Sequence, residues 1–183
     1  MPLKAQGFTL LEILIAMAVG SLLLLGAART LPMIQTQNLR LMMQAQLHEE
    51  LQQMMRTLEK AVRRAGYCNG TCRGKGLHIG RADGSCLLVR WDENSNGRWE
   101  GTGHKDSDFY GYRLRGKNLE TQRGVDSCEG GGWERLNEPR LITISAFRLE
   151  MRHRLIKVTL SRFAKAWPDV SLTVEHWLMA ENL

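Results

Sequence analysis

The sequence predicts an α+β protein in which a long N-terminal helix packs on a mostly antiparallel sheet. Three features of the chain lead there. Residues 8–28 form a mostly apolar run with one charge, Glu12. Apolar side chains then recur at helical spacing as far as Val62, and from residue 67 onward short alternating segments are separated by Gly, Asn and Pro. A long helix followed by hairpins buries its apolar stripe most simply beneath the sheet that the hairpins build.

The N-terminal run comes first. Its 21 residues would make a helix about 32 Å long at 1.5 Å per residue, enough to cross a hydrocarbon core of roughly 30 Å. A charge inside such a segment costs about 2.5 to 3.5 kcal/mol at the bilayer centre, so Glu12 calls for a functional explanation. The polar leader, residues 1–7 with Lys4, stands directly before the run. An ordinary secretory leader is cut after its apolar core; a cut after Gly7 would instead leave the membrane helix on the mature chain.

The helical pattern continues past Ala28. Leu39, Met43, Leu47, Leu51, Met54, Leu58 and Val62 fall on one face, and Gln37, Gln44, Gln53, Lys60 and Arg64 on the other. Met42 and Met55 lie beside the stripe, and the methionines read as packing residues rather than metal ligands. Glu59 precedes Arg63 by four residues, a favourable ion-pair order. Basic residues followed by Gly66 predict a helix end near Ala65. Pro32 removes one backbone bond and predicts a kink or a locally melted turn just beyond the apolar run, helped by Gly26.

Beyond the helix the pattern predicts five to seven strands. Leu87 to Trp91 is an apolar run that ends at Asp92-Glu93-Asn94-Ser95-Asn96-Gly97, where Asn-Gly signals a hairpin turn. A second hairpin is predicted from Tyr110 to Leu114, turning through residues 115–118 into Leu119 to Thr121. Residues 127–132 read as loop. Ile142, Ile144 and Ala146 alternate in one phase and Phe147, Leu149 and Met151 in the other, which predicts a β-bulge at Ala146 and Phe147. Ile156, Val158 and Leu160 form a returning strand, and Val170, Leu172 and Val174 a last one.

The chain has 183 residues, a net charge of +6 and a pI near 9.4. Its charges are interspersed, so they identify no partner. Cys68, Cys72, Cys86 and Cys128 all lie beyond the apolar helix, and an even number of cysteines in an exported domain suits disulfides. They support a periplasmic head. Lys4 agrees with a cytoplasmic N-terminus, although Arg29 weakens that argument. The spacing matches no zinc framework. Connectivity is open from sequence; Cys68 with Cys72 and Cys86 with Cys128 is the expected pairing, because the second bridge would tie the glycine loop to a strand.

Asp92, Asn94, Asn96 and Gly97 satisfy the opening of a calcium loop, D-x-N-x-N-G, but Gly103 stands where the closing Glu would be. Glu100, Asp106 or Asp108 could supply a carboxylate from another geometry, so a calcium loop and a metal-free turn both fit. No cofactor is otherwise expected. His48, His78, His104, His153 and His176 are scattered, and no nucleophile elbow, metalloprotease helix or phosphate loop is present, which argues against an enzyme. Arg148, Arg152, His153, Arg154 and Lys157 form a basic cluster without regular aromatic interleaving, so no nucleic acid is the default and a DNA- or ligand-binding module is a lesser reading.

The string Gly7-Phe8-Thr9-Leu10-Leu11-Glu12 opening an apolar helix resembles the class III signal of type IV prepilins and type II secretion pseudopilins. Residues 58–67, Tyr112-Arg113-Leu114 and Trp133-Glu134-Arg135-Leu136 are similar to minor pilins and pseudopilins with larger heads. The resemblance implies a type IV pilin-like fold divided into a leader (residues 1–7), a transmembrane and assembly helix (8–28), an amphipathic helix (29–66) and a β-rich periplasmic head (67–183). It implies cleavage between Gly7 and Phe8 by a prepilin peptidase, N-methylation of Phe8, and a subunit-assembly role for Glu12 through the amine of a neighbouring subunit. Because the related tip pseudopilin lacks this glutamate, Glu12 implies a place just below the tip. At Pro32 the resemblance implies loosening of the helix as a subunit leaves the bilayer. The implied partners are the peptidase/N-methyltransferase, other major and minor pilins, the inner-membrane assembly platform and, before assembly, membrane lipid. The implied function is a non-enzymatic minor pilin that helps start or cap a pilus, with a minor pseudopilin of a type II secretion system as the alternative.

Overall fold

A computed structural model describes residues 7–183, so Lys4 and the rest of the leader before Gly7 lie outside the described residues. One compact unit ends at Met42 and the second is Met43–Leu183. The helix α1 is Leu10–Arg64. In the first unit the apolar side chains are exposed, with Phe8 ahead of the helix 85% and Leu24 within it 72% accessible. The helix is long and apolar enough to cross a membrane, and among the described residues none of its most apolar stretch is buried.

In the second unit the stripe is buried from Leu47 through Leu51, Met54, Leu58 and Val62, with Met55 and Ala61 alongside. Met43 is half-buried and Leu39 exposed, so the buried stripe starts later than its periodicity predicts. The solvent side carries the Glu59–Arg63 pair at 2.8 Å. The helix ends as its sequence predicts. Gly66 takes φ +88°, and a Cβ there would lie 2.5 Å from the Asn182 carbonyl oxygen, a site only glycine fills without strain.

Eight strands follow, β1 (Leu77–Gly80), β2 (Cys86–Arg90), β3 (Phe109–Arg115), β4 (Asn118–Arg123), β5 (Glu134–Arg135), β6 (Ile142–Arg152), β7 (Leu155–Ala164) and β8 (Ser171–Met179). This exceeds the five to seven expected, because β1 and β5 are too short to show alternation. They form two antiparallel meanders, β1-β2-β3-β4-β5 and β6-β7-β8. The β3–β4 hairpin is the predicted one, with Arg115 opposite Asn118. The bulge in β6 lies slightly earlier than expected: the register shifts between Ile144 and Ala146, leaving Ser145 without a partner in β7. That extra residue carries burial from Ile142 and Ile144 over to Phe147 and Leu149.

One apolar core joins the helical stripe to both meanders, through Leu87, Val89 and Leu119 of the first and Phe147, Ile156, Val158 and Leu160 of the second. Each fully buried side chain of this kind contributes about 1.5 to 3 kcal/mol. The outer edge of β6 is covered by turns of the first meander. Leu149 N–H donates to Gly84 O and Ile144 N–H to Lys117 O, both at 3.0 Å. Gly84, at φ +71°, lies so close that a Cβ would collide with the Leu149 carbonyl.

The hairpin expected at Asn96-Gly97 does not form. β2 ends at Arg90 and β3 begins at Phe109, and residues 91–108 make a long loop between them. Two buried carboxylates organise it. Asp92 accepts N–H groups from Asn69, Asn96 and Gly97, and Asp108 from Glu93 and Glu100. These bonds close the loop without a two-residue turn, and Trp91 stacks on Tyr110 at 3.8 Å across its base.

Candidate maturation and assembly site

The site is built at the start of α1. Thr9 precedes the first helical residue, and its carbonyl accepts the first intrahelical bond, from Ile13 N–H at 3.3 Å. Its hydroxyl accepts Glu12 N–H at 3.3 Å, while Glu12 Oε2 accepts Thr9 N–H at 2.8 Å and the Thr9 hydroxyl at 3.0 Å. This is a reciprocal capping box, in which Thr and Glu three residues apart satisfy backbone donors that no helix can satisfy internally. The carboxylate also complements the positive end of the helix dipole. Within one subunit, then, Glu12 has a partner. Sequence reasoning missed Thr9, although T-x-x-E before an apolar run is the signal that finds it.

Gly7 and Phe8 lie immediately before the cap. A Cβ added to Gly7 would meet nothing within 4 Å, so the chain's own packing does not demand glycine there. The Phe8 ring is exposed.

Pro32 sits inside α1, and the helix runs through it. The locally melted turn expected there is not formed. Thr30 donates its hydroxyl to Gly26 O at 3.2 Å and Ala27 O at 3.3 Å, and Thr36 donates to Pro32 O at 2.8 Å. These side chains add bonds to carbonyls in the turns around the one that proline weakens.

The remaining predicted sites lie in the second unit. Cys68 is bonded to Cys72, just beyond the end of α1, and Cys86 on β2 to Cys128 in the glycine loop. Arg113, buried on β3, donates to Cys128 O at 2.8 Å and to Glu120 at 2.9 Å, and holds that loop from a second side. Asn94 Oδ1 accepts Asn96 N–H and Asn96 Oδ1 accepts Arg98 N–H, both at 3.1 Å, so the proposed calcium ligands act here as turn acceptors. Gly103 and Asp106 are exposed, whereas Glu100 and Asp108 are buried. In the basic cluster, Lys157 is paired with Glu175 at 2.9 Å.

Sequence reasoning also missed Arg162, which is fully buried on the inward face of β7. It reaches Glu50 at 3.4 Å and Gln46 O at 3.3 Å on α1. Burial draws its guanidinium down to about 10, against the opposing pull of Glu50. A charge in phase with Ile156, Val158 and Leu160 was the available signal.

The model of the prokaryotic N-terminal methylation motif matches residues 3–28. An apolar N-terminal helix bearing that motif, continuing into an α+β head, defines a membrane-anchored, pilin-like protein. The family model described as prepilin peptidase-dependent protein B matches residues 40–180. The Escherichia coli (strain K12) protein of that description is 48% identical over 149 residues, which cover 81% of this chain and 79% of the relative. The chain belongs to the prepilin peptidase-dependent protein B family. No solved structure matches it significantly.

Proposed function

We propose that the chain is a minor pilin with a structural, non-enzymatic role. It is held in the inner membrane with its N-terminus cytoplasmic and its head periplasmic. A prepilin peptidase cuts between Gly7 and Phe8 and methylates the new Phe8 amine, and the mature subunit joins a type IV pilus whose assembly it helps start or cap. The observation that carries this reading is the methylation motif over residues 3–28 running into an apolar helix whose membrane-length stretch is not buried among the described residues. The relative's description, as a protein dependent on prepilin peptidase, supports the same step. The free space around Gly7 supports it too, because a glycine that packing does not require is explained by close approach of an enzyme to the backbone.

Mass spectrometry of the tagged chain from cells with and without the peptidase tests the proposal. The mature form should begin with N-methylated Phe8 only when the peptidase is present, and sheared pili should contain the chain in small amounts beside a major pilin. A chain that keeps its leader in both strains, or pili that are unchanged in number when the chain is deleted, would overturn it.

A further inference from the structure

We propose that the loop between β2 and β3 is a binding site for one divalent cation of calcium's size, with Glu100 as its closing carboxylate. This goes beyond the pilin reading and does not rest on it. The sequence places oxygen-bearing side chains at Asp92, Asn94 and Asn96, a glycine at 97 and Glu100 three residues later. Alternating oxygens before a tight glycine turn are the arrangement that wraps a backbone around calcium. Gly97 has φ +84°, the turn such a wrap requires.

Burial supplies the independent argument. Asp92 and Asp108 are each 1% exposed and Glu100 is 7% exposed, so one loop withdraws three carboxyl groups from water. Asp92 and Asp108 are oriented by backbone N–H groups. Glu100 differs. Its Oε1 accepts Asn96 Nδ2 at 2.7 Å and Arg98 Nε at 3.0 Å, while its Oε2 is buried without any hydrogen-bond partner. An orphaned carboxylate oxygen in a protein interior is costly and asks for a positive partner.

The donor chemistry selects the ion. All available groups are carboxylate, amide or peptide oxygens, which suit hard cations rather than zinc, and the four cysteines are committed to disulfides. Among the described residues no three acidic, histidine or cysteine side chains already converge as a metal centre, so the asparagine amides must complete the shell. Asn96 has to turn its amide away from Glu100 when the cation binds. A flexible shell of this kind favours calcium over magnesium, which demands near-octahedral geometry. The loop also carries the bonds that hold the exit of α1, from Asn69 N–H to Asp92 and from Trp99 Nε1 to Tyr67 O. Cation binding therefore tightens the helix end against the first meander.

Equilibrium dialysis against radioactive calcium, with thermal unfolding followed by tryptophan fluorescence, tests this on the full chain in detergent. We expect one calcium per chain with half-saturation on the order of 0.1 to 1 mM, as in other extracellular calcium modules. At ten times that concentration Tm should rise by about 3 to 6 °C, and magnesium should give less than half the shift. Glu100→Gln should weaken binding at least ~10-fold, as should Asn94→Ala, which alters only an exposed side chain and keeps the test valid if the first variant misfolds. Absence of saturable calcium binding, or affinity unchanged in both variants, overturns the site; equal response to magnesium overturns the choice of ion.

Discussion

Two positions show how one residue can be set by forces from different sources. Glycine at 7 meets no neighbour, so Gly7→Val should leave the helix and head unchanged yet block removal of the leader, because a peptidase must approach that backbone closely. Leader loss, read as a gel shift and an N-terminus at Phe8, checks this; normal processing of the variant would refute it. At Asp108 the constraint is internal. Burial first, and then the Glu100 carboxylate, raise its folded-state affinity for a proton above the ordinary value of 3.8. A carboxyl raised in this way carries a penalty that is present in full above its folded pKa and disappears as pH falls toward the unfolded value. Measured in EDTA, wild type should therefore gain stability relative to Asp108→Asn on acidification from neutral pH to about 4, and a constant difference would show that Asp108 is not raised. Neither the Glu100–Asp108 contact nor the burial of Asp108 was legible in the sequence, since both depend on a loop that folds back on itself. The Thr9–Glu12 box was legible, being local.

Among the elements, the helix face and the strands were readable to different depths, and the difference follows from how local their causes are. The stripe from Leu47 to Val62 and the end at Gly66 obey periodicity and capping, both properties of neighbouring residues. Leu39 shares the periodicity but is 52% exposed, whereas Leu58 is fully buried, and no pattern along the chain says where a tertiary partner stops. Leu58→Ala should cost about 2 to 5 kcal/mol, while Leu39→Ala should change the stability of the head by less than about 0.5 kcal/mol, both by urea unfolding in detergent. The Asn96-Gly97 hairpin was misread because the dipeptide signal is strong in isolation, while Asp92 and Asp108 favour a longer loop through bonds that only the folded chain provides. Disulfides act at the same scale. Cys86 and Cys128 are 42 residues apart and Cys68 and Cys72 only 4. In the chain-entropy model the longer closure contributes about 4 kcal/mol and the shorter about 2 kcal/mol. Replacing Cys86 and Cys128 together by alanine should lower the unfolding midpoint roughly twice as far as replacing Cys68 and Cys72, and the reverse order would mean that strain or residual structure governs these bridges.

At the scale of the molecule, the chain joins a head that satisfies its own core to an apolar helix left unburied among the described residues. Such a helix needs lipid or other helices around it. The family places this chain among pilin-like proteins, and in the function proposed above it meets both environments in turn. Glu12 is unfavourable in the first. The capping box lowers that cost by giving the carboxylate Thr9 N–H and hydroxyl partners in an isolated subunit, so the acid is held at the helix start until something competes for it. A free amine on the Phe8 of a neighbouring subunit is a stronger partner than a neutral hydroxyl, since charge-assisted bonds are roughly twice as strong as neutral ones. Exchange of one partner for the other would draw an incoming subunit into register without leaving a buried charge unpaired. Glu12→Leu should then leave cleavage intact and improve insertion, while lowering site-specific cross-linking to the adjacent subunit several-fold. Glu12→Gln, which keeps an oxygen for Thr9 but carries no charge, should retain the helix start and still lose the cross-link. Wild-type cross-linking in Glu12→Gln would show that the Thr9 cap alone accounts for the glutamate, and wild-type heads found only at the distal end of the filament would exclude a position below the tip.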